Sequence, residues 1–319
     1  MNNAPSTMSL SGTSRHFLSV FDLTRDEILS VFDRAAQLKA AWTSGLREPR
    51  HVGRVMALLF AKPSLRTRVS FESAMAHLGG SALYLGPDVG WGGREAPGDF
   101  ARVLGSYVDL IVCRTYSHGD VEELAAHSRA TVINGLTDWN HPCQALTDLF
   151  TLQEHFGSLA GRHLAYIGDG NNVARSLAAA CARLDVRFTI AAPSRYQVDP
   201  AFLEQVGEEE PSAQIEQTDD PLAAVAAADA IYTDVWTSMG QEAEQEARRA
   251  AFRDYQVNDD LMRHAPSQAV FLHCLPAHRG EEVTDSVLDG PQSLAFQQAE
   301  NRMHLQKGLV DWLLDQEIR

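Results

Sequence analysis

The sequence predicts an α/β protein of two doubly wound parallel-sheet domains with a ligand site in the cleft between them. Three observations carry that reading. Short continuous apolar runs alternate with helical patterns along the chain, which marks parallel strands covered on both faces. The 319 residues are enough for two hydrophobic cores. The unusual polar residues follow the apolar runs, and open parallel sheets bind ligands at the carboxyl ends of their strands.

The first helix is expected over 24–42. Thr24 and Glu27 form a capping box, Leu23 and Ile28 can staple it, and Ile28, Val31, Phe32, Ala35 and Leu38 line one face. Strands are expected at 55–60, 81–85, 108–113 and 131–133 in the first half. The second half offers 163–167, 186–191, 230–234 and 270–273. A helix over 142–156 joins the halves, dividing the chain into units 1–150 and 151–319. A last helix over about 294–314 carries Phe296, Ala299, Met303, Val310, Leu313 and Leu314 on its apolar side. The acidic, proline-containing stretch 208–221 reads as a surface excursion.

The formal net charge of −15 disfavours nucleic acid and anionic membranes as partners. An anionic ligand therefore needs a local cluster of Arg and His. Cys113, Cys143, Cys181 and Cys274 fall at no metal-ligand spacing, so no metal site is expected and a reducing compartment fits. Residues 1–10 are polar with no cleavage signature, and no apolar run reaches the length of a membrane span. The expectation is a cytoplasmic protein.

Six polar clusters carry the chemistry. Ser64-Leu65-Arg66-Thr67-Arg68 opens a helix, whose free N–H groups and dipole suit a phosphate; solvated arginines on an ordinary cap are the bland alternative. Arg114 ends an apolar strand as a cation that needs a partner, either a ligand or a structural ion pair. His141-Pro142-Cys143-Gln144 enters a helix: His can donate to a developing oxyanion, and Gln offers both poles of an amide. Gly168-Asp169-Gly170-Asn171-Asn172 is an incomplete dinucleotide turn, because Val173 stands where a third glycine belongs. Its asparagines could instead hold an amino-acid carboxylate or ammonium. Asp234 suits a cationic amine and precedes the loop Ser238-Met239-Gly240. His273-Cys274-Leu275-Pro276 offers a thiol that is either a nucleophile or a hydrogen-bonding partner of an amine.

Ser64 through Arg68, His141 through Gln144, Asp234 through Gly240 and His273 through Pro276 resemble, in order, the motifs of the aspartate/ornithine carbamoyltransferase family. The likeness spans nearly the whole chain, to Glu300-Asn301-Arg302, and the last two motifs resemble the ornithine branch in particular. The resemblance implies transfer of a carbamoyl group from carbamoyl phosphate to the side-chain amine of ornithine, without metal or cofactor. Ser64, Leu65, Arg66 and Thr67 would bind the phosphate. Arg114 and His141 would hold it and polarise the carbonyl, with Arg302 reaching back from a last helix packed on the first domain. Gln144 and the carbonyls of Cys274 and Leu275 would grip the carbamoyl amine. Asn172, Asp234, Ser238 and Met239 would hold ornithine, Asp234 and Cys274 positioning the attacking amine. A trimer with shared sites and a cis Leu275–Pro276 bond are also implied.

Two positions depart from the family pattern. Leu65 stands where ornithine enzymes carry Thr, and the loop 86–95 lacks the Gln expected near Gly90 and holds Trp91 instead. Both features resemble relatives acting on acetyl- or succinylornithine, so an N-acylated acceptor is the leading alternative. A non-catalytic binding relative and a nicotinamide dehydrogenase are the remote ones.

Overall fold

A computed structural model describes residues 15–238 and 242–317. The first domain contains a parallel sheet of β1 (Val55–Phe60), β2 (Ser81–Leu85), β3 (Leu110–Arg114) and β4 (Thr131–Leu136), in the order β2-β1-β3-β4. Its helices are α1 (Arg25–Thr43), α2 (Leu65–His77), α3 (Pro97–Leu104), α4 (His118–His127) and α5 (Pro142–Phe156). The second domain contains β5 (His163–Ile167), β6 (Arg187–Ala191), β7 (Ile215–Thr218), β8 (Ala230–Thr233) and β9 (Val270–His273), ordered β7-β6-β5-β8-β9 and parallel throughout. Around it lie α6 (Asn172–Arg183), α7 (Pro200–Glu209), α8 (Pro221–Val225), α9 (Gln245–Ala251), α10 (Asp259–His264) and α11 (Asp285–Leu288). The last helix, α12 (Ala295–Glu317), follows α11 and packs on α1, α2 and α5 of the first domain.

Local chemistry sets these boundaries. Thr24 and Glu27 form the expected reciprocal capping box on α1, and Ile28, Val31, Phe32, Ala35 and Leu38 are all buried. Losing such a cap costs about 1 kcal/mol. β1, β3 and β5 are apolar runs with pairing partners on both sides, which is why sequence alone located them. One apolar core crosses the domain boundary through α5 and α6, from Phe32 and Phe150 by way of Leu177 to Phe188.

Two expectations need correction. The stretch read as a surface excursion contains β7, an edge strand paired to β6 from Phe188↔Ile215 to Ala191↔Thr218. It carries one apolar residue in four and only one strand neighbour, so neither run length nor alternation announces it. The last helix does not bury a simple apolar stripe. Phe296 is 58% exposed, while Gln298, Asn301, Arg302, His304, Gln306, Lys307 and Asp311 are buried. Packed against three helices, α12 has protein around most of its circumference, and Gln298, Asn301, Arg302, Lys307 and Asp311 find partners there.

Candidate active site

The parallel registers bring the carboxyl ends of six strands together. In the first sheet Phe60 lies beside Arg114, and Arg114 beside Leu136 after an irregularity at Cys113/Arg114. In the second, β5 is flanked by β8, and Thr233 pairs with His273. The chain that follows each of these ends lines one cavity of about 820 Å³ between the domains. Ser64, Leu65, Arg66, Arg114, His141, Gln144, Asn172, Asp234, Ser238, Cys274, Leu275 and Arg302 all stand on its wall. Met239 lies outside the described residues.

At the first-domain wall, the Ser64 hydroxyl caps α2 by accepting from the Thr67 N–H at 3.2 Å. The backbone N–H groups of Leu65 and Arg66 remain the open donors of that first turn. Thr67 itself is fully buried and not on the cavity wall; its Oγ1 accepts from Arg302 Nη2 at 2.9 Å. Arg68 turns away, to Glu72 and the ring of Tyr84. Three arginines therefore remain: Arg66, Arg114 and Arg302. Among the described residues none of them has a carboxylate within ion-pair distance, so the structural ion pair held open for Arg114 is not found.

This uncompensated charge has electrostatic consequences. Burial, with Arg302 and Arg66 adding, brings Arg114 down to about 10. Burial also lowers Arg302. His141 is held well below the ordinary imidazole value by burial and by Arg302 and Arg114, so it is neutral in this site, and its Nδ1 is buried without a partner. A neutral imidazole presents one N–H donor and one acceptor. Gln144 is 1% exposed and leaves its Oε1 without a partner among the described residues.

The second-domain wall is acidic and amide-rich. Asp234 Oδ1 accepts from the Val235 N–H at 2.8 Å and from Cys274 Sγ at 2.9 Å, and Oδ2 accepts from Asn171 Nδ2 at 2.9 Å. Burial and the neighbouring Asp234 carboxylate push the Cys274 thiol well up, so it stays protonated and the nucleophile reading is set aside. Asn172 donates to the Thr137 carbonyl at 2.6 Å. The Leu275–Pro276 bond is cis. At the glycine turn, Asn171 Oδ1 already accepts from the Val173 and Ala174 N–H groups, and a Cβ on Gly170 would lie 2.5 Å from the Val198 nitrogen. The turn is closed by its own side chain and offers no N–H cradle for a dinucleotide.

Sequence reasoning missed four cations on the cavity wall. Lys62 Nζ lies 4.1 Å from the Tyr116 ring centre, its pKa lowered by burial and then by Arg114. Its place in the bend before Ser64 was the available signal. Arg175 ties the domains together, donating to Trp139 O, Gly170 O and Asp138 O at 3.1, 3.3 and 2.8 Å. Arg248 pairs with Asp169 at 2.9 Å from a helix remote in sequence, and Arg195 stands exposed at the mouth. Nothing local to either announces the site.

The loop departure also has a structural basis. Gly90 has φ +76°, a conformation that strains any residue with a Cβ, and a Cβ there would also push the Arg94 side chain aside, 2.3 Å from its Cδ. Trp91 packs against Phe100, with ring centres 6.4 Å apart, and is not on the cavity wall. No helix among the described residues is long and apolar enough to cross a membrane.

Comparison with known proteins agrees with this geometry. The profile of the aspartate/ornithine carbamoyltransferase carbamoyl-P binding domain matches residues 15–154, and that of the Asp/Orn binding domain matches 160–313. An ornithine carbamoyltransferase of Pyrococcus abyssi is 48% identical over 310 residues, covering 96% of this chain and 98% of its own. One from Chromobacterium violaceum is 49% identical over 94% of this chain and 97% of its own. The solved structure of ornithine carbamoyltransferase from Pyrococcus furiosus superposes with a TM-score of 0.90 at 48% identity, covering 93% of this chain and 96% of that one. With both halves matched in order and near-complete coverage, the chain belongs to the aspartate/ornithine carbamoyltransferase family.

Proposed function

We propose that the chain transfers the carbamoyl group of carbamoyl phosphate to the side-chain amine of L-ornithine, giving L-citrulline and phosphate in arginine biosynthesis. One observation carries this reading: Arg66, Arg114 and Arg302 share a cavity wall with Asp234, and among the described residues none of the three has a carboxylate within ion-pair distance. That charge calls for a dianion on the first-domain side and an amine on the other.

The neutral ornithine amine attacks the carbonyl carbon, the bond from that carbon to the phosphate oxygen breaks, and the amine proton leaves with the phosphate. Ser64, Leu65 and Arg66 hold the phosphoryl group, Leu65 and Arg66 through backbone N–H, while the buried Thr67 ties Arg302 to that turn from behind. Arg114, His141 and Arg302 stabilise the oxygens on which negative charge develops. The Gln144 Oε1 and the carbonyls of Cys274 and Leu275 accept from the carbamoyl amine. Asn172, Asp234, Ser238 and Met239 hold ornithine, with the Cys274 thiol beside Asp234. Freeing an amine with a Lys-like pKa near pH 7.4 costs about 4 kcal/mol. Alignment of two bound substrates offsets several kcal/mol of that order.

The same reading assigns donor binding to residues 1–150 and acceptor binding to 151–319, with 294–319 returning to the first unit. It also places the protein in the cytoplasm as a homotrimer. In support, Cys113, Cys143, Cys181 and Cys274 are free, and β2 lies at a sheet edge with Leu83 and Tyr84 exposed, as is Val69 on α2. One assay tests the function: carbamoyl phosphate with ornithine, acetylornithine, succinylornithine, putrescine or aspartate, reading ureido product. Ornithine should be the preferred acceptor, and exclusive use of an acylated amine would overturn the substrate. Native mass measurement tests the trimer.

A further inference from the structure

Gln144 stands one helical turn before Asp148 on the buried half of α5. Its amide has two poles of opposite character, and which one meets the substrate decides what the site recognises. The surrounding hydrogen bonds settle that orientation, starting from a group that cannot be reversed. The backbone N–H of His273 can only donate, and it donates to Gln298 Oε1 at 2.9 Å. Gln298 is fully buried, so its Nε2 is fixed at the other end, where it donates to Asp148 Oδ1 at 2.6 Å and lies 3.3 Å from the Tyr232 hydroxyl. The same Oδ1 accepts from Gln144 Nε2 at 2.7 Å. Turning the Gln144 amide over would set its oxygen against that carboxyl oxygen. Oε1 is therefore the pole left over, on a residue that lines the cavity.

The wiring also survives protonation. Burial raises Asp148 to about 7, against the hydrogen bonds from Gln144 and Gln298. A proton on Oδ2 leaves Oδ1 free to accept from both amides. Asp148 has no cationic partner within ion-pair distance among the described residues, and a buried, unpaired carboxyl is costly for stability. An apolar residue would fill that position more cheaply, which points to a use other than packing.

We propose that Asp148, aided by Gln298, is a positioning residue that fixes the amide polarity of Gln144. The site thereby recognises an acyl phosphate bearing N–H on its carbonyl carbon and rejects one bearing a methyl group. This deepens the carbamoyl-transfer reading and rests on it. A site built to accept from N–H discriminates strongly against an isostere lacking it, because its acceptor is then left bare.

The test is a set of binding constants for carbamoyl phosphate, acetyl phosphate and inorganic phosphate on the full chain. Wild type should prefer carbamoyl over acetyl phosphate. In Asp148→Leu that preference should fall about tenfold while phosphate affinity holds. Asp148→Asn keeps an acceptor at Oδ1 and should retain the preference within about threefold. Gln298→Met, which loosens Asp148 from behind, should lower the preference in the same direction and stands in if Asp148→Leu does not fold. An unchanged preference in both Asp148→Leu and Gln298→Met overturns the proposal. So does an equal loss for all three ligands, which would mark Asp148 as structural only. A wild type without any preference for carbamoyl phosphate instead overturns the carbamoyl-transfer reading itself.

Discussion

Two stretches of α12, nine residues apart, treat buried charge in opposite ways. Around Asp311 the charges are balanced: its carboxylate meets Arg34 at 3.0 Å, Arg50 at 3.0 Å and His51 at 2.8 Å, with Asp315 also reaching Arg34. Around Arg302 they are not, since among the described residues Arg66, Arg114 and Arg302 converge with no carboxylate within ion-pair distance. The first cluster is complete within the chain and fastens α12 to α1 and to the segment before β1. The second is incomplete, and in the proposed function the donor's phosphate supplies the missing charge. Within one helix, neutralised charge marks architecture and unneutralised charge marks function.

The sharpest way to break this comparison is to remove a cation from the open cluster. Arg114→Ala or Arg66→Ala should lower turnover by at least about a thousandfold with the fold intact by circular dichroism. Near-full activity in either variant would sink the assignment. In the closed cluster the effect should fall on stability instead. Asp311→Ala removes the anion shared by Arg34 and Arg50, which keep only the more exposed Asp315 and Glu48, and strips His51 of its buried partner; it should cost about 3 kcal/mol in denaturant unfolding, with KM for carbamoyl phosphate little changed in the folded enzyme.

The pH dependence of that loss has a definite sign. Burial works to raise Asp311, but the hydrogen bond from His51 and the charges of Arg50 and Arg34 outweigh it, and the folded value lies below the ordinary one. The contribution of Asp311 is therefore complete above its unfolded pKa of about 3.9 and disappears as pH falls through the lower folded value. The stability gap between wild type and variant should close only in that acid window; a gap that closes near neutrality would contradict the assignment.

A smaller and opposite effect sharpens the contrast. Ligand-free Arg114→Met removes a buried cation that has no counter-charge, so it should gain about 1–3 kcal/mol in stability. Phosphate should raise the melting temperature of wild type and not of this variant. A less stable Arg114→Met protein would mean that Arg114 has an internal partner after all. The least effect is expected at Leu65, whose side chain is 75% exposed. Leu65→Thr should change turnover by no more than about threefold, because the position offers its backbone N–H; a large loss would show that the side chain itself matters.

The contrast between the two clusters also separates what was legible in the sequence from what was not. Strands β1, β2, β5 and β9 begin and end where their apolar runs do, and Pro142 and the Gly157 that follows Phe156 bracket α5. The wall residues that follow strand ends were visible because chain order alone puts them there. β7 was hidden because an edge strand with one apolar residue needs no run. Arg175 and Arg248 were hidden because their partners lie mostly in other elements, and Arg195 because an exposed arginine beside Tyr196 carries no local signal. The buried polar face of α12 was hidden for the same reason: its period is set by three neighbouring helices.

The return of α12 to the first domain has a consequence for the order of events at the ribosome. A growing chain can fold its first sheet early, since N-terminal domains generally form first during synthesis. Arg302, however, emerges only after both sheets have been made, and Thr67 waits for it across 235 positions. A polypeptide released before Arg302 thus lacks both the third arginine of the cavity wall and the α12 side chains that share a core with Phe32 and Phe150, so it cannot consume substrate.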